Sequence, residues 1–204
     1  MSAIDTDASV RMEVLSDSPR VVLHHNAITV DTAFAIISAA LPGLTPALLS
    51  GEAGGLVDRA RYAESTWLTH DLNGATRRVV GVVSSIAGIS AQRAEKLHVV
   101  RYREGGEYRA HFDSYDLKTT RGQRCTLTRG QRMLSALLYL NDGFSGGETA
   151  FPKLALTVFP RAGSVLIFDN CLDDRVTPHP GSLHCGQPVL AGEKWLATLW
   201  FRER

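Results

Sequence analysis

The sequence predicts a mainly β domain with N-terminal helices, an α+β chain whose core is a double-stranded β-helix, or jelly roll. Three observations lead there. Two helical segments come first. From Leu97 onward about eight short apolar runs follow, broken by Gly, Pro and Asp, the spacing of strands in an antiparallel double sheet. The chain's 204 residues, 44% of them hydrophobic, suit one such core. Residues 1–96 read as a helical and strand support packed on the barrel, and 97–204 as the barrel itself, together one structural unit.

Residues 1–20 are polar and aperiodic and read as a frayed leader or an edge strand. Val21 to His25 reads as a short strand. Its adjacent histidines, His24 and His25, diverge across a strand and so suit solvent or packing roles better than a shared metal. Residues 31–41 carry a cap in Asp31 and helical spacing of Phe34, Ile37 and Leu41, and Pro42-Gly43 ends that helix. Residues 45–55 read as a loop or short turn. Residues 76–86 place Val79, Val80, Val83 and Ile86 at helical spacing, with Asn73 as cap and Gly88 as stop; Ser90 caps a short turn. Strands are expected near 97–103, 107–113, 132–140, 147–151, 155–159, 163–168, 182–185 and 194–202. Between them, 114–131 reads as a long loop rich in Lys118, Arg121, Arg124 and Arg129, either a lid or a plain mobile loop.

Lysine plus arginine (22) nearly balances aspartate plus glutamate (21), so bulk charge points to neither nucleic acid nor an anionic membrane. No apolar run approaches the ~18 residues of a membrane span. The start, Met1-Ser2-Ala3-Ile4-Asp5, lacks the basic and apolar regions of a secretory signal. Cys125, Cys171 and Cys185 have no metal-type pairing, and reduced thiols in a cytoplasm are the expectation.

His111 and Asp113 are two apart in a strand-like run, so their side chains are expected on one face. A distant His184 completes a set of two imidazoles and one carboxylate. That set occupies one face of an octahedral iron(II) and leaves positions open for cosubstrate and oxygen. A structural zinc site or a satisfied core histidine is the alternative. Cys185 adjoins His184 but is expected to point to the opposite face of its strand. Lys194, Leu196, Thr198, Trp200 and Arg202 share parity on the last strand and are expected to line the barrel interior. Gly105-Gly106, Gly146-Gly147 and Gly192 read as backbone requirements of turns.

The second half resembles the prolyl 4-hydroxylase family of iron/2-oxoglutarate dioxygenases over roughly 61–201, most strongly from Leu97 on. The resemblance is carried by Val99-Val100-Arg101-Tyr102 through His111-Phe112-Asp113, and by Arg132-Met133-Leu134-Ser135-Ala136. It continues through Gly146-Gly147-Glu148-Thr149 to Pro160-Arg161-Ala162-Gly163 and Leu183-His184-Cys185-Gly186 to Lys194-Trp195. It implies Fe(II) on His111, Asp113 and His184, which are then both the metal ligands and the catalytic centre. It further implies 2-oxoglutarate held at its distal carboxylate by Lys194, with Tyr102 and Thr149 hydrogen-bonding the same cosubstrate. O2 is the second cosubstrate, and ascorbate an optional auxiliary. Tyr108, Arg132 and Trp200 fall at the family's substrate-facing positions; Arg202, of the same strand parity as Trp200, is expected to face the substrate too, although it stands where plant-type members tend to carry histidine. Retention of Asp113 implies hydroxylation, because related halogenating enzymes lack this carboxylate. The implied substrate is a prolyl residue or a free proline-like amino acid; another small metabolite and a non-catalytic jelly-roll module with a structural metal are the alternatives.

Overall fold

The structure, a computed structural model, describes residues 11–47, 49–51, 54–56 and 62–204. The first ten residues of the expected leader, and parts of the expected turn at 45–55, lie outside them. The chain opens with a hairpin of β1 (Arg11–Asp17) and β2 (Arg20–His25), then α1 (Val30–Ala40). Three short strands follow, β3 (Thr45–Pro46), β4 (Leu49–Gly51) and β5 (Gly54–Leu56), then β6 (Glu64–Leu68) and α2 (Gly74–Ala87). The later half runs β7 (Leu97–Tyr102), β8 (Tyr108–His111), α3 (Thr120–Thr126), β9 (Arg132–Tyr139), β10 (Ser145–Gly146), β11 (Thr149–Phe151), β12 (Leu156–Val158), β13 (Val165–Asp169), β14 (His184–Gly186), β15 (Val189–Ala191) and β16 (Lys194–Arg202).

Two sheets form the barrel. The major sheet has eight strands in the order β1-β2-β13-β9-β16-β7-β6-β3, and the minor sheet four, β12-β11-β14-β8. The N-terminal segment thus supplies strands to both edges of the major sheet, as well as the helices.

Alternation along the central strands sorts their side chains between two cores. Leu134, Ala136 and Leu138 of β9 and Trp195, Ala197, Leu199 and Phe201 of β16 pack on the helix side with Val79, Val80 and Val83 of α2. Leu137 and Tyr139 of β9, Val100 and Tyr102 of β7 and Leu196 of β16 face the minor sheet and meet Phe151 and Phe168. All nine residues of β16 are buried. Each fully buried aliphatic side chain contributes about 1.5–3 kcal/mol, so these two layers hold helices that are too short to persist alone.

The helices differ from expectation in detail. In α2, Asn73 and Thr76 form a reciprocal capping box (2.9 and 3.0 Å), and Gly88 closes the helix at φ 65°, a left-handed conformation that favours glycine. In α1 the cap is Thr29, whose Oγ1 accepts from Thr32 N at 3.2 Å, and Asp31 sits in the first turn. The buried stripe is Ala33, Ile36 and Ala40, while Phe34 and Leu41 are exposed. The two stripes lie one residue, about 100°, apart, and the smaller side chains face the valines of α2.

Segment 114–131 is no plain loop. It contains α3, capped by Thr119, and it is pinned by the buried Gln131, whose amide exchanges two 2.8 Å hydrogen bonds with the backbone of Tyr115. Strand β6 was not expected; it pairs with β7 from Leu68↔Leu97 to Glu64↔Arg101.

Candidate active site

His111 and His184 are directly opposite each other on β8 and β14 of the minor sheet. Strand β8 ends at His111, so Asp113 follows it rather than continuing it, yet its carboxylate still reaches the imidazoles. Asp113 Oδ1 is 3.5 Å from His111 Nε2, and Oδ2 is 3.8 Å from His184 Nε2. One ligand atom from each residue lies within 4.8 Å of the others.

Backbone carbonyls settle the tautomers. His111 Nδ1 is 2.8 Å from the Arg109 carbonyl and His184 Nδ1 is 2.9 Å from that of Ser182. A carbonyl only accepts, so each Nδ1 carries a proton, and in a neutral ring the lone pair then lies on Nε2, the atom near Asp113. Burial, then the neighbouring His111, push His184 down to about 4, against the pull of Asp113. Burial would raise Asp113, but His184, His111 and the more distant Arg132 outweigh it and hold the carboxyl well below the usual carboxylate range. A neutral imidazole and an ionised carboxylate are the protonation states a divalent metal needs. The donor set therefore fits Fe(II), with one face left open.

The carboxylate has its own support, which the sequence reading missed. Ser135 Oγ donates to Asp113 Oδ2 at 2.6 Å, and Asn170 Nδ2 donates to Ser135 Oγ at 2.9 Å. The main-chain oxygen of Asn170 accepts from Ser114 and Ser182 at 3.3 and 3.2 Å. One fully buried asparagine thus ties together the segments carrying Asp113 and His184. Ser135 was discoverable, as a lone polar residue at an inward-facing position of an apolar strand. Ser135→Ala is expected to weaken Fe(II) binding about 10- to 100-fold in a protein that stays folded. Metal titration by calorimetry checks this, and unchanged affinity would reject the support role.

The triad lies where two cavities meet. The inner cavity is lined by Tyr102, Thr149, His184 and Lys194 together with Leu196, Thr198 and Trp200. Lys194 stands directly opposite Tyr102 in the β16–β7 pair. The residue is 2% exposed, and its Nζ donates to the Gly147 carbonyl at 2.6 Å and is 5.7 and 5.8 Å from the rings of Tyr102 and Tyr139. Gly146 and Gly147 hold φ of 73° and 68°, and a Cβ on Gly147 would come within 3.1 Å of the Lys194 stem. Burial pushes the ammonium down to about 8, against Glu148 and Cys185. Tyr139, also missed, donates to Thr149 Oγ1 at 2.9 Å, which leaves that hydroxyl's own proton for another acceptor. A buried cation beside free hydroxyls suits one end of a dicarboxylate.

The outer cavity, of about 630 Å³, opens over His111 and Asp113. Tyr108 stacks on His111 with centroids 3.6 Å apart. Trp67, His98 and Trp200 line it as a run of neighbouring rings, at 4.3 Å for Trp67–His98 and 5.5 Å for His98–Trp200. Arg132 lies 3.8 Å over the Trp200 ring, but its fork is committed to Glu95 at 2.7 and 2.8 Å. The register slips between Phe201 and Arg202, pairing Arg202 with Arg132 and passing over Met133. Both guanidiniums therefore converge on Glu95.

Of the expected substrate-facing set, Tyr108, Arg132 and Trp200 line the outer cavity; Arg202 does not. Shared parity with Lys194 carries it past the end of the barrel into an adjoining pocket, where Glu95 and the Cys125 carbonyl hold it. Cys185 also departs from expectation: the irregular register of β14 turns it toward the inner cavity, outside the triad. The three cysteines are free. His25 pairs with Glu13 on the outer hairpin, apart from this site.

A family model described as the 2OG-Fe(II) oxygenase superfamily matches residues 97–202. The chain is 36% identical over 144 residues to a putative prolyl 4-hydroxylase of Acanthamoeba polyphaga mimivirus, covering 71% of this chain and 59% of that relative. It is 32% identical over 213 residues to prolyl 4-hydroxylase 5 of Arabidopsis thaliana, covering 93% of this chain and 70% of the relative. Its fold matches the viral collagen prolyl hydroxylase of Paramecium Bursaria Chlorella virus-1, solved as a 2OG complex, with a TM-score of 0.72 and 23% identity over 92% of this chain and 98% of that one. That likeness establishes the jelly-roll architecture. The chain belongs to the 2OG-Fe(II) oxygenase superfamily and, within it, to the prolyl 4-hydroxylase family, a class of oxidoreductases that use Fe(II), 2-oxoglutarate and O2.

Proposed function

We propose that this chain is a dioxygenase that hydroxylates an unactivated C–H bond of a prolyl residue. The observation that carries the reading is the placement of the triad at the junction of two cavities, one ending on a buried ammonium and the other open and ringed by aromatics. A structural metal would need neither.

The residues divide the work. His111, Asp113 and His184 would hold Fe(II), which when bound supplies the coordination of 2-oxoglutarate and the activation of O2. Lys194 takes the distal carboxylate, with Tyr102 and Thr149 as hydrogen-bond partners, and so orients the keto acid toward the triad. Tyr108 and Trp200 offer ring faces to a pyrrolidine, and Arg132, clamped by Glu95, holds the Trp200 ring in place. The described residues before 97 brace the barrel, as strands on both edges of the major sheet and helices packed on it, and form one unit with 97–204. No helix among the described residues is long and apolar enough to cross a membrane; together with three free thiols this supports a cytoplasmic location.

Mass spectrometry of prolyl peptides and free proline, with Fe(II), 2-oxoglutarate and the auxiliary ascorbate, tests the reading. A one-oxygen gain on proline is expected. Iron-dependent decarboxylation with no oxygen gained by any proline substrate would refute the substrate, and absence of that decarboxylation would refute the activity. Arg132→Met is expected to lower hydroxylation about tenfold and to raise the uncoupled share of 2-oxoglutarate turnover, because the Trp200 face loses its clamp. Measuring succinate against hydroxylated product checks it, and unchanged coupling counts against the assignment.

A further inference from the structure

We propose that the open pocket beside the outer cavity is a carboxylate-binding subsite for an acidic side chain of a polypeptide substrate, an inference that rests on the prolyl-hydroxylase reading. The pocket shares Trp67 and Tyr115 with the outer cavity and contains none of the metal triad. A free amino acid seated over His111 and Asp113 has no second carboxylate to place there. A chain that continues from the outer cavity past the shared residues Trp67 and Tyr115 does.

The charge balance selects the ligand. Lys96, Arg129 and Arg202 line the pocket against one carboxylate, Glu95. Glu95 is already committed: Arg132 takes both of its oxygens, at 2.7 and 2.8 Å, and Arg202 shares one at 3.0 Å. Two guanidiniums on one carboxylate leave a unit of positive charge. Arg202 is 4% exposed, and its Nε is buried without a hydrogen-bond partner. Arg129 spends its Nη2 on the carbonyls of Gln92 and Ala94, at 2.8 and 3.1 Å, and among the described residues neither it nor Lys96 has a carboxylate partner. Arg132 and Arg202 also stand directly opposite each other across β9 and β16, a like-charge pairing that destabilises a sheet. An anionic side chain at this pocket relieves that repulsion and completes the count. Carboxylate geometry matches a guanidinium edge, and the exposed lysine steers the approach.

The test uses the full chain loaded with Mn(II) and 2-oxoglutarate, and labelled proline peptides in which a single Glu is moved through the positions flanking proline, each beside its Gln counterpart. At low ionic strength fluorescence anisotropy is expected to show one Glu position binding about tenfold tighter than Gln, with the preference fading as salt rises. Lys96→Ala with Arg129→Ala, both near the surface, is expected to reduce that preference to within about twofold, and Arg129→Lys to restore part of it. Thermal unfolding of each variant establishes that it folds. Equal binding of Glu and Gln at every position overturns the inference, as does a Glu preference that survives the double substitution. Inorganic phosphate that binds at the pocket without any Glu preference in the peptides also overturns it, leaving a general anion site. Hydroxylation of the same peptides separates the two readings: product without a Glu preference rejects the subsite alone, and a Glu preference without product rejects prolyl hydroxylation alone.

Discussion

Asp113→Asn is expected to abolish both Fe(II) binding and iron-dependent 2-oxoglutarate turnover in a protein that stays folded. The amide keeps the side chain's volume and can still accept from Ser135, so packing is conserved. What goes is the charge. Asp113 is 6% exposed and is the one anion in the triad. Two neutral imidazoles without it hold a divalent cation far more weakly, by at least 100-fold given that supporting groups alone are worth 10- to 100-fold. His111→Ala removes a ligand outright and is expected to do the same. A binding readout is available apart from turnover. A metal at 100 times its Kd stabilises the fold by about 2.7 kcal/mol, so the wild-type melting temperature should rise with Mn(II) and that of the variant should not. Wild-type-like metal stabilisation in both variants would overturn the triad.

The barrel was legible because its strands are short apolar runs bounded by Gly, Pro and Asp, as expected of strands buried on both faces. Leu134 to Tyr139 and Trp195 to Phe201 divide between two cores, and shifting either by one residue would exchange the side chains of the helix layer with those that face the minor sheet. Helix α2 was legible for a local reason, since Asn73 and Gly88 mark its ends chemically. Helix α1 was read on the wrong face because its sequence offers two apolar stripes, and only the approach of α2 chooses between them. Strand β6 escaped notice because Glu64-Ser65-Thr66-Trp67 has no apolar alternation; its pairing with β7, not its own pattern, makes it a strand. Helix α3 is too short and polar to show a period.

The site was legible to the same degree that it depends on types and spacing. His-x-Asp and a later His name a metal centre chemically, although the strand argument for His111 and Asp113 held only in outcome, since β8 stops at His111. Arg202 shows the limit of parity. A register slip beside it brings Arg132 alongside, and Glu95, far off in sequence, then fixes both. No periodicity carries that information. The same holds for Asn170, which sits outside any strand and acts through its backbone oxygen as much as its amide.

Lys194→Met is expected to raise the 2-oxoglutarate requirement on the order of 30- to 100-fold, because a charge-assisted contact with the distal carboxylate is worth about 2–3 kcal/mol. Methionine keeps the stem's volume, and removing a desolvated ammonium takes away a cost of the ligand-free fold. The ligand-free melting temperature should therefore not fall, which separates loss of binding from loss of structure. Lys194→Arg should recover little, since its longer fork meets Gly147 and the Tyr102 and Tyr139 rings before it meets a carboxylate. The pH dependence carries an independent sign. Burial has pushed Lys194 down to about 8, so below that pH the cation is present before the cosubstrate arrives. Pairing with a carboxylate favours the charged form and raises its pKa in the complex. Affinity for 2-oxoglutarate should then be flat below pH 8 and fall by up to tenfold per unit above it, until the pKa of the complex is reached. Binding of 2-oxoglutarate to the metal-loaded protein, followed from pH 7 to 9.5, checks this. An affinity independent of pH across that range, in the wild type and with no penalty in Lys194→Met, would mean that another cation holds the distal carboxylate.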